Sequence, residues 1–241
     1  MKKFFDPSEN ILDGYAPMDG TIEFFGRIQS ILKEDMTVLD LGAGRGEWYY
    51  DDKSSYRKKI RDIKVAVKMF IGVDIDSVVL NNPTTHKNYL MKSQDQIPLE
   101  NNSVDLIICD YVFEHVENPV QFSSEINRVL KKGGYLCGRT PHKYSYIAIG
   151  ARLISNSHHT SVLSKIQPRR KEEDIFPTCY ELNTLRSIKH YFQNYHSYTY
   201  FYAAEPSYYF GNKYIFKILS VIQNLFPRLL TGNIFFFLRK N

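Results

Sequence analysis

The segment "TVLDLGAGRG" at residues 37–46 constrains the fold of this chain more than any other stretch. A short apolar run ends in glycines at positions 42, 44 and 46, which is typical of a buried strand that turns tightly towards a helix. In a parallel sheet such a turn brings the backbone against a ligand, because glycine has no Cβ. The segment therefore predicts the first strand of an α/β sheet, with a binding site at its carboxyl end.

Further strand-like runs follow at a spacing that leaves room for helices. They cover residues 69–74, 103–110, 134–140, 198–203 and 233–240. One helix is predicted from its N-cap Asp19 to about Lys33, and another over 121–134 is expected to end at Gly133 and Gly134. The alternation predicts a doubly wound, mostly parallel α/β sheet that binds ligands at the carboxyl ends of its strands.

Length and composition predict a single domain with insertions. The chain has 241 residues, of which 43% are hydrophobic and 15% aromatic, enough for one substantial core. We divide it into an N-terminal helical cap (1–35), a ligand-binding core (36–140), a substrate-side insertion (141–180) and a final part with C-terminal helices and closing strands (181–241).

Charge and cysteine usage bear on partners and location. The net charge of +5 comes from basic residues interleaved with acids, so nucleic acid is not the expected partner. The three cysteines lack C-x-x-C spacing, which suits a reducing compartment. Neither a signal peptide nor a membrane-spanning run is recognised, and a cytoplasmic location is expected.

The spacing of the glycines distinguishes between ligand classes. A dinucleotide fingerprint would need glycine at position 47, where the chain has Glu47. The observed pattern, an acid followed by alternating glycines, resembles the first motif of the class I S-adenosylmethionine-dependent methyltransferases. This resemblance implies a seven-stranded Rossmann-like sheet and S-adenosylmethionine as cofactor. The implied contacts are Asp40, Gly42, Ala43, Gly44 and Gly46.

The second strand, "FIGVDID", ends in an acid suited to a ribose. Asp74 can accept hydrogen bonds from both ribose hydroxyls while Ile75 covers the adenine; Asp76 is the alternative acid. The long interval before this strand indicates an insertion after the glycines. Its aromatic residues 48–50 either roof a pocket or pack on the sheet.

Residues 93–119 resemble the stretch after the third strand in the ubiquinone-biosynthesis-type branch of the family. That branch has an acid that reads the adenine amino group where this chain has Ser93. The resemblance leaves the Gln94 backbone amide as an adenine contact, with Asp95 as an alternative acid. It covers roughly residues 36–142, and the later insertion is similar to that of bacterial methyltransferases of surface-polysaccharide biosynthesis.

Methyl transfer from a sulfonium mainly requires alignment and exclusion of water. A hydroxyl acceptor must also lose a proton, for which His142 is the preferred base and His115, expected on a helix after strand four, is the second candidate. Tyr111 and Asp110 are expected to lie beside the sulfonium, unless Asp110 is a helix cap.

The 141–180 insertion is expected to cover the acceptor. Its Arg169 and Arg170 either bind an anionic acceptor or belong to a solvated charged face. The adjacent His158 and His159 lack a matching ligand set, so no metal is expected.

The tail at 214–230 has the pattern of an amphipathic helix. Core packing is the first interpretation, and contact with a membrane or a lipid-linked acceptor is the alternative. No oligomeric state is predicted.

Together these features predict an S-adenosylmethionine-dependent methyltransferase acting on a small-molecule or glycan acceptor. O-methylation of a sugar in surface-polysaccharide biosynthesis is the narrower expectation, implied by the resemblance. The alternatives are an RNA-modifying methyltransferase and a non-catalytic protein that binds S-adenosylmethionine as a partner of a glycosyl-transfer complex.

Overall fold

The computed structural model contains one seven-stranded sheet with strand order β3-β2-β1-β4-β5-β7-β6. The strands are β1 (Thr37–Leu41), β2 (Met69–Asp74), β3 (Lys87–Leu90), β4 (Val104–Asp110), β5 (Leu130–Pro141), β6 (Tyr195–Tyr202) and β7 (Asn233–Lys240). Strands β1 to β5 pair in parallel, and β7 runs antiparallel to both of its neighbours. The structure describes residues 13, 15, 18–94, 96–146, 148–149, 177–206, 209, 211–225 and 232–241. The predicted doubly wound, mostly parallel sheet is confirmed.

Six α-helices flank or connect these strands in the described residues. They are α1 (Gly20–Gln29), α2 (Trp48–Asp51), α3 (Ser55–Arg61), α4 (Pro119–Val129), α5 (Leu185–Tyr191) and α6 (Lys213–Leu225). The side chain of Asp19 caps α1 as predicted, by accepting hydrogen bonds from the N–H groups of Thr21 and Ile22 at 2.9 Å each. The helix ends at Gln29, earlier than predicted.

Apolar residues on both faces of the sheet form the core. Along β1, Leu39 and Leu41 pack in one hydrophobic cluster while Val38 packs in the other, because successive side chains of a strand point to opposite faces. The second cluster includes Phe24 and Ile28 of α1. Burial on both faces holds the central strands rigidly and fixes the positions of their carboxyl ends.

The predicted stop of helix α4 at Gly133 and Gly134 is wrong. The helix ends at Val129, and the extended strand β5 begins at the next residue. The glycines lie where the β4–β5 register shifts: Gly133 has a φ of +77°, and a Cβ on Gly134 would lie 2.8 Å from the carbonyl oxygen of Asp105. They serve a bulge between two strands rather than a helix terminus.

Candidate active site

A cleft of about 320 Å³ opens at the carboxyl ends of β1, β2 and β4, and we call it the central cleft. Seven of the residues predicted to bind donor or acceptor line it together: Gly42, Gly44, Asp74, Ile75, Gln94, Tyr111 and His115. Parallel strands end at one edge of a sheet, so residues far apart in sequence meet there. The predicted clustering therefore follows from the topology.

The glycine loop after β1 is held from two sides. The N–H of Gly44 donates to Oδ2 of Asp74 at 2.8 Å, which joins the ends of β1 and β2. On the other side, Nδ2 of Asn82 donates to the carbonyl oxygens of Ala43 and Gly44 at 3.0 and 3.1 Å. A Cβ on Gly44 would meet no protein atom within 4 Å. The loop is thus fixed in place with open space beside Gly44.

Of the two acids after β2, Asp74 faces the central cleft. Its Oδ1 accepts a hydrogen bond from the N–H of Asp76 at 3.0 Å, and the neighbouring Ile75 is 41% exposed beside the cleft. Asp76 caps the 3₁₀ turn Ser77–Asn81 by accepting from the N–H of Val78. The geometry therefore favours Asp74 as the ribose-binding acid.

Gln94 lines the cleft, and its side chain is engaged with the opposite wall. Its Nε2 donates to the carbonyl oxygen of His115 at 3.0 Å, and its Oε1 accepts from the N–H of Glu117 at 3.1 Å. The side chain of Gln94 thus fixes the width of the cleft. Asp95, the alternative acid, lies outside the described residues.

His115 sits in the wall of the central cleft, on the 3₁₀ turn Phe113–His115; the expected helix at this position is wrong. Its Nδ1 is 2.7 Å from the carbonyl oxygen of Pro177. A carbonyl oxygen only accepts, so this contact assigns the proton of the neutral ring to Nδ1 and the basic lone pair to Nε2. That tautomer suits proton abstraction at Nε2.

His142, the preferred base on sequence grounds, is buried between aromatic rings. It is 2% exposed, and its ring packs edge-on against Phe201, with ring centroids 5.0 Å apart, and against Tyr144 at 5.4 Å. It is not among the described residues that line the central cleft. His142 directly follows Pro141, the last residue of β5. Because β5 is paired with β7 as far as Pro141, the position of His142 is still in the protein interior.

Asp110 faces a smaller cavity rather than the central cleft. This cavity, which we call the side chamber, has a volume of about 110 Å³ and is lined in part by Asp40, Ala43, Arg61 and Asp110. The Asp110 carboxylate is bound by Nε and Nη2 of Arg139 at 2.6 and 3.0 Å. Burial acts to raise the pKa of Asp110, but the charge of Arg139 and its hydrogen bonds, with Arg61, hold that pKa below its usual value. Arg139 thus pairs with this carboxylate, and the expected position of Asp110 beside the sulfonium stays a prediction.

Asp40 lies in the same chamber with a different balance of charges. Burial, together with the neighbouring Asp110 and Asp74 carboxylates, raises the pKa of Asp40 to about 7, although Arg61 opposes the shift. Arg139 is committed to Asp110 by two hydrogen bonds. Asp40 therefore changes charge near neutral pH and responds to any cation brought beside the glycine loop.

Arg61 is a functional candidate that the sequence analysis missed. Its guanidinium lies over the rings of Trp48 and Phe25 at 4.9 and 5.2 Å, and the carboxylate oxygen paired with it, Oδ2 of Asp110, is 3.9 Å away. Its buried Nε has no hydrogen-bond acceptor among the residues the structure describes. Burial lowers the pKa of Arg61 to about 10. Such a cation is stabilised by an anion that enters beside the loop.

The three aromatic residues after the glycine loop differ in their surroundings, and only Trp48 among them lines a cavity. Trp48 lines the side chamber and supports Arg61, whereas Tyr49 and Tyr50 are 51% and 68% exposed.

Tyr111 has a φ of +59°, and its ring lies under the Arg139 guanidinium at 4.9 Å. A non-glycine residue with positive φ beside a cleft is strained backbone of the kind found at functional sites.

A buried polar network ties both ends of the 141–180 insertion to the turn that carries His115. Glu114 accepts a hydrogen bond from Oγ1 of Thr140 at 2.7 Å through its side chain and from the N–H of Cys179 at 2.7 Å through its carbonyl oxygen. Nδ2 of Asn183 donates to Oγ1 of Thr140 at 2.6 Å and to the carbonyl oxygen of Pro141 at 2.9 Å. Sequence analysis singled out neither Glu114 nor Asn183, since each is a common surface residue type.

Sequence similarity to known proteins lies mainly in the part of the chain that forms this site. The sequence profile of a family described as methyltransferase domain matches residues 39–138. A ubiquinone/menaquinone biosynthesis C-methyltransferase from Campylobacter jejuni is 27% identical over 139 residues, which are 55% of this chain and 56% of that protein. The chain thus spans about half the length of the curated relatives it matches.

Solved structures with similar folds cover more of the chain. An S-adenosylmethionine-dependent methyltransferase from Methanosarcina mazei has a TM-score of 0.56 at 17% identity and covers 89% of this chain and 96% of its own. One from Archaeoglobus fulgidus has a TM-score of 0.54 at 15% identity, with 90% and 91% covered. Residues 39–138 thus match the methyltransferase domain family, and the chain has the fold of S-adenosylmethionine-dependent methyltransferases. The resemblance to the ubiquinone-biosynthesis-type branch is confirmed, and S-adenosylmethionine is the donor of this family.

The matched segment holds most of β1, all of β2 to β4 and most of β5. It also holds all the residues that line the side chamber except Phe25. Arg169 and Arg170, the candidate ligands of an anionic acceptor, lie outside the described residues, as do His158 and His159. Within the part of the chain that the structure describes, no group of three or more His, Cys, Asp or Glu side chains could hold a metal ion. In that same part, no helix is long and apolar enough to cross a bilayer.

Proposed function

We propose that the protein transfers a methyl group from S-adenosylmethionine to a small-molecule or glycan acceptor in the cytoplasm. The observation that carries this proposal is the contact of the Gly44 N–H with the Asp74 carboxylate at the mouth of the central cleft. The contact holds the acid at the end of β2 against one side of the loop. The space beside Gly44 stays open for a ligand. That arrangement suits a nucleoside with a cationic substituent better than a pyrophosphate, which the acids would repel.

The residues around the glycine loop fit the donor. Asp74 would accept hydrogen bonds from the ribose hydroxyls, with Ile75 against the adenine. Arg61, whose buried Nε has no acceptor among the described residues, would bind the donor carboxylate. Asp40, titrating near neutral pH, would be held ionised by the positive charge of the donor.

When bound, S-adenosylmethionine supplies a methyl group on a positively charged sulfur, a leaving group that needs no protein acid. The chain's own task is to exclude water and orient the acceptor. For a hydroxyl acceptor, Nε2 of His115 would take the proton as the new O–C bond forms, while Nδ1 stays bound to the carbonyl oxygen of Pro177. Pro177 belongs to the end of the insertion, so this contact would link acceptor coverage to the base.

The glycan acceptor is supported by the similarity of the insertion to that of polysaccharide methyltransferases and by its length of about forty residues, which exceeds an ordinary connection. O-methylation of a sugar in surface-polysaccharide biosynthesis is the form of the reaction that we favour. Residues 147 and 150–176 of the insertion lie outside the described residues. The acceptor proposal therefore needs a direct chemical test.

That test is incubation with radiolabelled donor and separate extracts of polysaccharide precursors, lipids and RNA. We expect label in the polysaccharide fraction with the wild-type protein and little label with the Asp74→Ala variant. Label in RNA would replace the proposal with RNA modification. Donor binding measured by calorimetry without label in any fraction would favour a non-catalytic protein that binds S-adenosylmethionine.

A further inference from the structure

Helix α6 (Lys213–Leu225) buries a polar side chain and exposes large apolar ones, the reverse of an ordinary surface helix. Its residue Gln223 is 5% exposed, and Ser220 is half-buried beside it. In contrast, Tyr214 and Leu225 are each 77% exposed, and Ile218 is 59% exposed. Burying an amide while large apolar side chains face water is unfavourable on both counts. The outer face of α6 therefore has the composition of a contact surface.

The exposed apolar side chains of α6 form one compact stripe. At 100° per residue, they fall within an arc of about 100° on the helix surface. They are Tyr214, Ile218, Val221, Ile222 and Leu225. We call these five residues the apolar stripe. Its width is that of a face that normally packs against another apolar surface.

The charged residues of α6 itself are all basic. Lys213 and Lys217 are exposed along one border of the stripe, and the thirteen residues of α6 contain no Asp or Glu. Lysines can extend their charged ends towards an anionic surface while their methylene groups lie along the apolar one. This combination of an apolar face with basic flanks suits a negatively charged lipid surface.

The connection that contains α6 leaves and rejoins the sheet at the edge that carries the central cleft. Tyr202 at the end of β6 and Pro141 at the end of β5 both pair with Asn233, the first residue of β7. The side chain of Asn233 also donates to the hydroxyl of Tyr111, a cleft residue, at 3.0 Å. The helix is thus joined at both ends to the edge of the sheet that carries the cleft.

We propose that the apolar stripe of α6 docks the protein on an anionic lipid surface. The stripe lies in the interfacial region with its apolar side chains among the acyl chains near the head groups, and Lys213 and Lys217 contact the anionic groups. A soluble acceptor would remain compatible with this docking. The inference depends on the geometry of α6 and holds whichever acceptor the methyltransferase domain uses.

The test is co-sedimentation of the full chain with vesicles of phosphatidylcholine alone and with added phosphatidylglycerol. We expect binding to the anionic vesicles that weakens with salt. The double variant Ile218→Ser, Leu225→Ser should lose at least about tenfold in vesicle affinity, since two exposed apolar anchors are removed. The variant Lys213→Gln, Lys217→Gln should lose about fivefold per lysine and lose the preference for phosphatidylglycerol.

The matched control is Val65→Ser, Val120→Ser, which removes two apolar side chains that are 79% and 66% exposed elsewhere. It should bind vesicles as the wild type does. Calorimetry with S-adenosylhomocysteine checks that each variant is folded, and its result is separate from vesicle binding. Absence of binding by the wild type, or equal binding by the apolar variant, would overturn the proposal. So would a dimer in sedimentation velocity that dissociates in the Ile218→Ser, Leu225→Ser variant, because a second copy would then cover the stripe.

Discussion

Two glycines in the same loop should respond differently to the same substitution: Gly44→Ala should mainly weaken ligand binding, and Gly46→Ala should mainly lower stability. Gly44 and Gly46 both have positive φ, at 52° and 67°, so alanine at either position costs about 1 to 2 kcal/mol of backbone strain. A Cβ on Gly44 meets no protein atom within 4 Å, whereas a Cβ on Gly46 would overlap Oδ1 of Asn82 and lie 2.8 Å from a carbon of Thr84. Overpacking of that kind adds about 1 to 3 kcal/mol.

Gly44→Ala should therefore fold with a melting temperature lowered by about 2 to 8 °C but bind S-adenosylhomocysteine at least about tenfold more weakly, because its methyl group occupies ligand space. Gly46→Ala should be destabilised more, since displacing Asn82 also removes its hydrogen bonds to Ala43 and Gly44.

Thermal denaturation monitored by circular dichroism measures the first effect, and calorimetry at a temperature where both variants are folded measures the second. If Gly44→Ala binds S-adenosylhomocysteine as tightly as the wild type, the space beside Gly44 is not the donor site and the assignment of the loop is refuted.

Three further predictions concern the charged and basic residues of the site. Arg61→Gln should weaken binding of S-adenosylhomocysteine but leave 5′-methylthioadenosine, which lacks the carboxylate, unchanged in calorimetry; equal losses for both ligands would show a general distortion. Because the pKa of Asp40 is raised to about 7, its contribution to stability is fully present at low pH and is lost as pH rises through 7. Asp40→Asn should therefore flatten the fall in melting temperature between pH 5 and pH 8. On the assay with labelled acceptor, His115→Ala should lower kcat by roughly 10² to 10⁴ with donor affinity nearly intact; if only His142→Ala does so, the base assignment is reversed.

The central strands could be predicted from sequence because the fold buries them on both faces. The bounds predicted for β2 and β7, 69–74 and 233–240, are those of the structure. Strand β3 (Lys87–Leu90) was missed because it is a four-residue edge strand with only Asn88 half-buried, so its letters show no apolar alternation. A strand of this kind is defined by its pairing with β2 rather than by its own composition.

The charged residues of the site were predicted less well than its glycines. A glycine after an apolar strand reports a local backbone requirement, which one segment of sequence contains. The role of Asp110 depends on Arg139, 29 residues later in the chain, and Arg61 approaches both through a fold that its own segment does not encode. Interactions between distant residues therefore decide which carboxylate is neutralised and which titrates near pH 7.

The position of His115 depends on the last residues of the insertion, 177–180. Its Nδ1 is oriented by the carbonyl oxygen of Pro177, and the preceding residue, Glu114, accepts a hydrogen bond from the N–H of Cys179. Both contacts come from a single stretch, which Asn183 in turn joins to the end of β5. Any movement of the insertion that displaces this stretch would also change the tautomer and orientation of the histidine.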